Sequence, residues 1–428
     1  MRLPVSARSL SMRILYFAPR ECWPPNTGAR IRNYHLANAL AQNNDVTFAA
    51  LVGPEDYVEE PTNVDGGPLQ RAFDLVSFPR ERTYSLPKIL GGLGGPVPLT
   101  VRNYTSRAAM AKLEALVADR QFDSVQLEGL HLMEYIPTIR RAAPQTAIVS
   151  DWHDIQTVFL GRYLHSLTGH SPLAIAKRAY IRRTIALTAR AEERFLAACD
   201  AHVAVSTTDA AILSGRAPKA TITVAPNGVD VPYFEACGRL PGATGKDVIF
   251  VGAMEYGANA EAVVWFAHQV WPRLRRHPAV RGKFRIVGRD PISPVKALAG
   301  VDVDVTGTVP DVRPYYRDAL VLVVPLRVGG GTRLKILEAM AAGVPVVSTR
   351  MGAEGLPVTV GENILLADSA EEMALAVESL MVDAVLRERL QQGGRDLVAQ
   401  GFDWRAVAGT LLNVHESACA ARRHRPGA

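Results

Sequence analysis

Cysteine is scarce in this chain of 428 residues: Cys22, Cys199, Cys237 and Cys419 stand far apart, with no CxxC pair and no Cys/His cluster. That argues against a disulfide scaffold or a sequence-local zinc site, and a reducing cytoplasm fits. Long apolar runs are also missing. The longest, such as 319–326, are interrupted by a proline or ended by an arginine, well short of the ~20 residues that cross a bilayer. The first twelve residues, MRLPVSARSLSM, lack the apolar stretch of roughly 7–15 residues that a secretory leader shows, and are expected to be a frayed extension. No G-x-G-x-x-G follows the first β-rich run, which speaks against a dinucleotide-dependent oxidoreductase. A concentrated basic stripe is lacking too: the net charge of +6 comes from arginines spread along the whole chain, so no nucleic-acid partner is expected.

What is present is length, an even mixture and a rhythm. A chain of 428 residues with 48% hydrophobic content is too long for one ordinary core and too apolar for disorder, so two domains are expected. Strand patterns at 13–19, 46–52, 122–127, 147–150 and 201–206 are separated by helices or loops, and hairpin signals are rare. Strands at 247–251, 284–287, 303–306, 319–324 and 344–348 then alternate with amphipathic helical stretches. This βα order predicts an α/β fold of two facing Rossmann-like, doubly wound domains with a cleft between them. The expected boundaries are 12–215 and 216–403, with a C-terminal helix at 404–420 that crosses back to the first domain. The Gly- and Pro-rich segment 86–98 is expected to be a mobile surface loop.

One stretch is denser in charge. Residues 176–196 place Lys177, Arg178, Arg182, Arg183 and Arg190 among apolar residues at roughly helical spacing. Such a helix suits the surface of an anionic membrane, and equally the solvated face of an ordinary helix.

The strongest chemical signal is VVPLRVGGGTRLKILEAMAAGVPVVST at 323–349. A buried strand runs into three glycines, 329–331, and then a helix from about Thr332 to Ala342, closed by Gly343 and Pro345. Gly330 and Gly331 let the backbone approach a ligand, and a helix start at Thr332 offers unpaired N–H groups to a diphosphate. Arg333 and Lys335 fall in the first turn, where a cation opposes the helix dipole unless it meets an anion. Glu338, one turn on, can accept hydrogen bonds from the two vicinal hydroxyls of a ribose. The same spacing also fits a capped helix whose Arg, Lys and Glu are solvated.

This segment, together with PNGVD at 226–230, RIVG before Arg289, VTGTVPDVRPYY at 305–316 and ENILLADSAEEMA at 362–374, resembles the family 4 glycosyltransferases of the GT-B fold. The likeness covers about 13–404, densely in the second half and loosely in the first. It implies that Glu338 is the donor-ribose glutamate, that Asn227 and Gly228 lie at the interdomain turn beside the donor, and that Gly307 sits near the base. Gly28, in PPNTGAR, corresponds to the family's glycine loop near the donor phosphates, with Ala29 where many relatives have a second glycine. SDWHDIQ at 150–156 resembles the family's His-Asp segment. By that likeness His153 touches the transferred sugar, and Asp154 either orients its ring or caps the following helix.

Two departures stand out. Relatives usually carry a second glutamate where this chain has Gly330, and many have an Arg and a Lys in the segment that here reads VGAMEYGAN, 251–259. The diphosphate charge then falls to Arg333 and Lys335, with Arg289 or Arg327. No aspartate pair with metal-binding spacing is visible, in keeping with the metal-independent, configuration-retaining chemistry that the resemblance implies. The expected function is transfer of a sugar from a nucleotide-diphosphate sugar, the donor substrate, to a glycan, lipid-linked or small-molecule acceptor, with no cofactor. The expected location is the cytoplasm, with peripheral contact at the inner face of the membrane. A sugar-nucleotide epimerase and an inactive sugar-nucleotide-binding protein are the alternatives.

Overall fold

A computed structural model describes residues 11–25, 27–56, 72–167, 171–238, 245–278, 280–328 and 333–424. The chain divides into two compact units. One runs to Pro226 and takes up the chain again from Ala408; the other is Asn227–Val407.

The first unit is built on seven parallel strands: β1 (Arg13–Ala18), β2 (Asp45–Val52), β3 (Asp74–Pro79), β4 (Ser124–Glu128), β5 (Ala147–Trp152), β6 (Ala201–Ala204) and β7 (Ile222–Val224). Their order is β3-β2-β1-β4-β5-β6-β7. The central strands are buried along nearly their whole length because helices cover both faces, as a parallel sheet requires. Strand β3 was not expected; its mostly exposed edge position needs no apolar signature. Strand β7 pairs in parallel with β6, so 201–206 is not the last strand of this half. The units therefore part at Pro226 rather than at the expected 215/216 boundary.

The segment expected to be a loop at 86–98 contains the helix Leu86–Gly94, and a second helix, Leu99–Tyr104, follows. Two of its glycines serve packing: a Cβ on Gly91 would lie 2.4 Å from the Arg102 guanidinium, and one on Gly92 3.0 Å from Leu99. The C-terminal helix Trp404–Arg423 ends in the first unit, where Cys419 Sγ meets the Asp123 carbonyl at 3.3 Å.

The second unit carries β8 (Asp247–Val251), β9 (Phe284–Val287), β10 (Val303–Gly307), β11 (Ala319–Val324), β12 (Val346–Ser348) and β13 (Leu365–Leu366), in the order β10-β9-β8-β11-β12-β13 and all parallel. The chain winds outward from β8 in one direction and from β11 in the other. Each unit thus has one point where the strand order reverses, between β1 and β4 and between β8 and β11, and a crevice for ligands opens at the carboxyl ends of strands flanking such a point.

Candidate functional site

In the first unit the carboxyl ends of β4 and β5 carry acids. Glu128 and Asp151 are register partners, both buried. A carboxylate at such depth needs a counter-charge. Arg32, buried on the helix Gly28–Ala41, supplies it to Asp151 through Nε at 2.8 Å and Nη2 at 3.2 Å. Two further guanidinium protons go to the carbonyls of Ala225 and Pro226 at 3.0 Å each, which fixes the end of the first unit.

Glu128 is answered by His153, whose Nε2 lies 2.5 Å from its Oε2. The Gln126 amide donates to the other oxygen at 2.5 Å, and the Asn33 amide, turned to face its acceptors, donates to Oε2 at 2.8 Å. Loss of water on burial works against a charged His153 ring, but the hydrogen bond and the charge of Glu128 outweigh it, and the pKa lies above the usual histidine value. Neighbouring His131 behaves oppositely: burial and the nearby charge of His153 push it down to about 4. The network continues inward, for His415 Nε2 lies 2.9 Å from Gln126 Oε1 and its Nδ1 2.7 Å from Ser124 Oγ.

Glu128, Asp151 and His153 each bring one potential metal-ligating atom within 4.8 Å of the others. Arg32 already neutralises Asp151, and both Glu128 oxygens are engaged.

In the second unit the strand ends carry glycine. A Cβ on Gly288, after β9, would fall 1.9 Å from the Gly252 carbonyl oxygen, and one on Gly252, after β8, would fall 2.9 Å from Lys335 Nζ. Bare backbone is what lets Lys335 reach the end of β8. It comes from the first turn of the helix Leu334–Ala341, donates to Asn259 Oδ1 at 2.9 Å and stands 4.0 Å from the centre of the Phe250 ring. Loss of water lowers its pKa to about 7; Glu338 opposes the shift and Arg333 adds to it. Glu338, one turn along, accepts from the buried Tyr316 hydroxyl at 2.9 Å. Desolvation raises its pKa above the usual carboxylate value, against the pull of Tyr316 and Lys335. A cation and a carboxylate thus share a poorly hydrated spot beside the β8–β11 reversal.

The other expected residues fall as follows. Gly330, Gly331 and Thr332 lie outside the described residues. The helix begins at Leu334 rather than near Thr332, with buried Arg333 as its N-cap and the Arg333 Nη2 donating to the Met351 carbonyl at 3.1 Å. Gly307 ends β10 in the left-handed region, φ 69°, where a side chain would strain the backbone. Asn227 and Gly228 open the second unit; a Cβ on Gly228 would lie 2.8 Å from the Phe402 carbonyl and 2.9 Å from the Trp404 ring. Gly28 is the exposed first residue of its helix, in open space. Arg289 pairs with Glu255 and Asp290, and Arg327 with Glu261, so both are already committed to carboxylates.

Asp154 is exposed, and the following helix is N-capped by Ile155 without a side-chain cap. The His153 ring is held by Glu128 instead, which corrects the orienting role expected of Asp154. Sequence reading missed Glu128, Asp151 and Arg32, and with them Asn259 and Tyr316. The first two carry a usable signal: a charged residue at or next to the end of a buried parallel strand sits where ligands bind.

The comparisons agree with this architecture. The model for Glycosyltransferase Family 4 matches residues 27–232 and that for Glycosyl transferases group 1 matches 245–383. A D-inositol 3-phosphate glycosyltransferase of Saccharomonospora viridis is 30% identical over 245 residues, 49% of this chain and 53% of its own. The chain spans about half the length of the curated relatives it matches. Among solved structures, a sucrose-phosphate synthase from Thermosynechococcus elongatus superposes with a TM-score of 0.63 at 18% identity, covering 96% of this chain and 100% of that one. Anabaena HepE in complex with UDP gives 0.61 at 14% identity, over 95% and 100%. Matched along both units by these family models, and in fold by the solved structures, the chain belongs to glycosyltransferase family 4 and has the two-domain, Rossmann-like GT-B fold.

Proposed function

We propose that this protein transfers a sugar, with retention of configuration and without a metal ion, from a nucleotide-diphosphate sugar to a glycan, lipid-linked or small-molecule acceptor. The observation that carries the reading is the Lys335–Glu338 pair at the glycine-lined end of β8. A lysine whose pKa has fallen to about 7 for want of water regains its charge beside a diphosphate, and a carboxylate one turn away suits the two hydroxyls of a ribose. Arg333 adds positive charge at the helix start. Gly307 gives the base an approach to bare backbone.

Cleavage of the anomeric C–O bond leaves positive charge on the sugar and negative charge on the departing diphosphate, so stabilising the leaving group is the main task. Lys335 meets that charge as it develops. The acceptor hydroxyl forms the new C–O bond and gives up its proton to the departing diphosphate. His153, whose pKa Glu128 raises, is suited to hold a hydroxyl of the transferred sugar through the ring nitrogen that Glu128 does not occupy. The protein acts in the cytoplasm, and a lipid-linked acceptor would bring it to the inner membrane face.

The test is a thermal-shift screen of UDP, GDP, ADP and TDP, followed by assays for nucleoside diphosphate release from the matching sugar donor. One nucleotide is expected to raise the Tm, with release accelerated by acceptor. Glu338→Ala is expected to weaken that nucleotide on the order of tenfold to a hundredfold. Unchanged nucleotide affinity in Glu338→Ala by calorimetry refutes the ribose role, and binding without release under any acceptor refutes transfer.

A further inference from the structure

The basic stretch singled out in the sequence acquires a shape in the first unit. Residues 156–166 and 172–198 form two packed helices, Gln156–Ser166 and Pro172–Ala198. The longer helix has no buried side chain before Ile181, so its first two turns stand in solvent. Large apolar side chains nevertheless face out there: Leu173 is 80% exposed and Ile175 55%, and Phe159 on the shorter helix is 63% exposed. Lys177 lies 5.4 Å over the Tyr163 ring, which ties the two helices into one surface. Arg183 donates to the carbonyls of Gly92 and Gly95 at 3.2 and 2.7 Å, which joins the helix Leu86–Gly94, with exposed Leu86 and Leu90, to the same region.

Charge decides what covers this surface. From 155 to 191 the chain carries Arg162, Lys177, Arg178, Arg182, Arg183 and Arg190 and not one aspartate or glutamate. The acid that ends the run, Glu192, is buried and bound to Arg216. Exposed apolar groups among unopposed cations complement an interface whose surface is anionic and whose interior is hydrocarbon. A partner protein of mixed charge would leave most of these cations unanswered. Among the described residues no helix is long and apolar enough to cross a membrane, so contact is confined to the surface.

We infer that the paired helices Gln156–Ser166 and Pro172–Ala198 form a docking face that seats this protein on an anionic lipid bilayer. The projecting first two turns of the longer helix enter the headgroup boundary with Leu173 on one side and Ile175 on the other, Phe159 beside them, while Lys177, Arg178 and Arg182 meet lipid phosphates. The inference rests on this surface alone and stands whether or not the sugar-transfer reading does.

The purified full chain is sedimented with vesicles of phosphatidylcholine alone and of phosphatidylcholine with phosphatidylglycerol, at low and at high salt. Binding is expected only to the anionic vesicles, and reduced by salt. Two variants separate the contributions: Lys177→Glu with Arg178→Glu and Arg182→Glu, and Leu173→Ser with Ile175→Ser. Each is expected to cut the partition coefficient at least tenfold, with the Tm unchanged and the nucleotide thermal shift retained. Equal binding to both vesicle types, no binding at all, or variants that bind like the parent overturn the proposal. So does a concentration-dependent dimer that the Leu173 and Ile175 changes abolish, because the face then belongs to a second copy of the chain. A nucleotide shift that vanishes in the parent speaks against the transfer reading and leaves this one standing.

Discussion

The two strand-order reversals solve the same packing problem with opposite chemistry. At the β1–β4 reversal the buried charges answer one another: Arg32 closes on Asp151, and His153 on Glu128. At the β8–β11 reversal the strand ends are stripped to Gly252 and Gly288, and the charged groups that arrive, Lys335 and Glu338, are held by neutral Asn259 and Tyr316. The first arrangement is complete without a ligand, whereas the second is electrostatically under-satisfied. Self-neutralised charge positions a side chain; desolvated charge whose hydrogen bonds go to neutral groups is suited to receive an ion.

The sharpest way to break this contrast is to unbalance the first unit. Asp151→Ala leaves the Arg32 guanidinium buried without its carboxylate and is expected to cost about 3–5 kcal/mol. Hydrogen exchange of the β4 and β5 amides reads that loss directly, and a change below about 1 kcal/mol means the pair is not holding the strand ends.

The second unit is expected to answer pH instead. Lys335 in the free protein is charged below about pH 7 and neutral above it, and a bound diphosphate holds it charged. Nucleotide binding above pH 7 therefore takes up a proton, and affinity falls as pH rises: about fiftyfold from pH 7 to 9. Calorimetry in buffers of different ionisation enthalpy counts the proton. Lys335→Met keeps the contact with Phe250 and is expected to flatten the slope relative to the parent; an identical slope refutes the assignment.

The smallest effect sharpens the comparison in the first unit. Glu128→Gln keeps a hydrogen-bond acceptor for His153 but removes the charge that raises its pKa. The basic limb of turnover against pH is expected to shift to lower pH, with the donor KM nearly unchanged. A limb that stays in place shows that Glu128 does not govern the ring.

Much of the fold was legible because buried parallel strands must be apolar. Runs such as Ala319–Val324 declare themselves, and all five strands read in the second half match observed ones to within two residues. Strand β13 was missed because two residues, Leu365–Leu366, carry no periodicity. The helix Leu86–Gly94 was read as a loop because glycine usually marks one, while here Arg102 and Leu99 occupy the space that its side chains would take. The site was legible where its residues are neighbours in sequence, as with Lys335 and Glu338. Glu128 and His153 lie 25 positions apart and meet only because β4 and β5 pair, which no local pattern encodes.

The helix Trp404–Arg423 has a consequence for how the chain is made. Its His415 is fully buried and pushed down to about 4 by burial, so it sits neutral between Ser124 and Gln126 on a strand laid down almost three hundred residues earlier. During synthesis the first sheet must wait, with that strand uncovered, until nearly the whole polypeptide has left the ribosome. Early termination would then damage the half of the molecule made first.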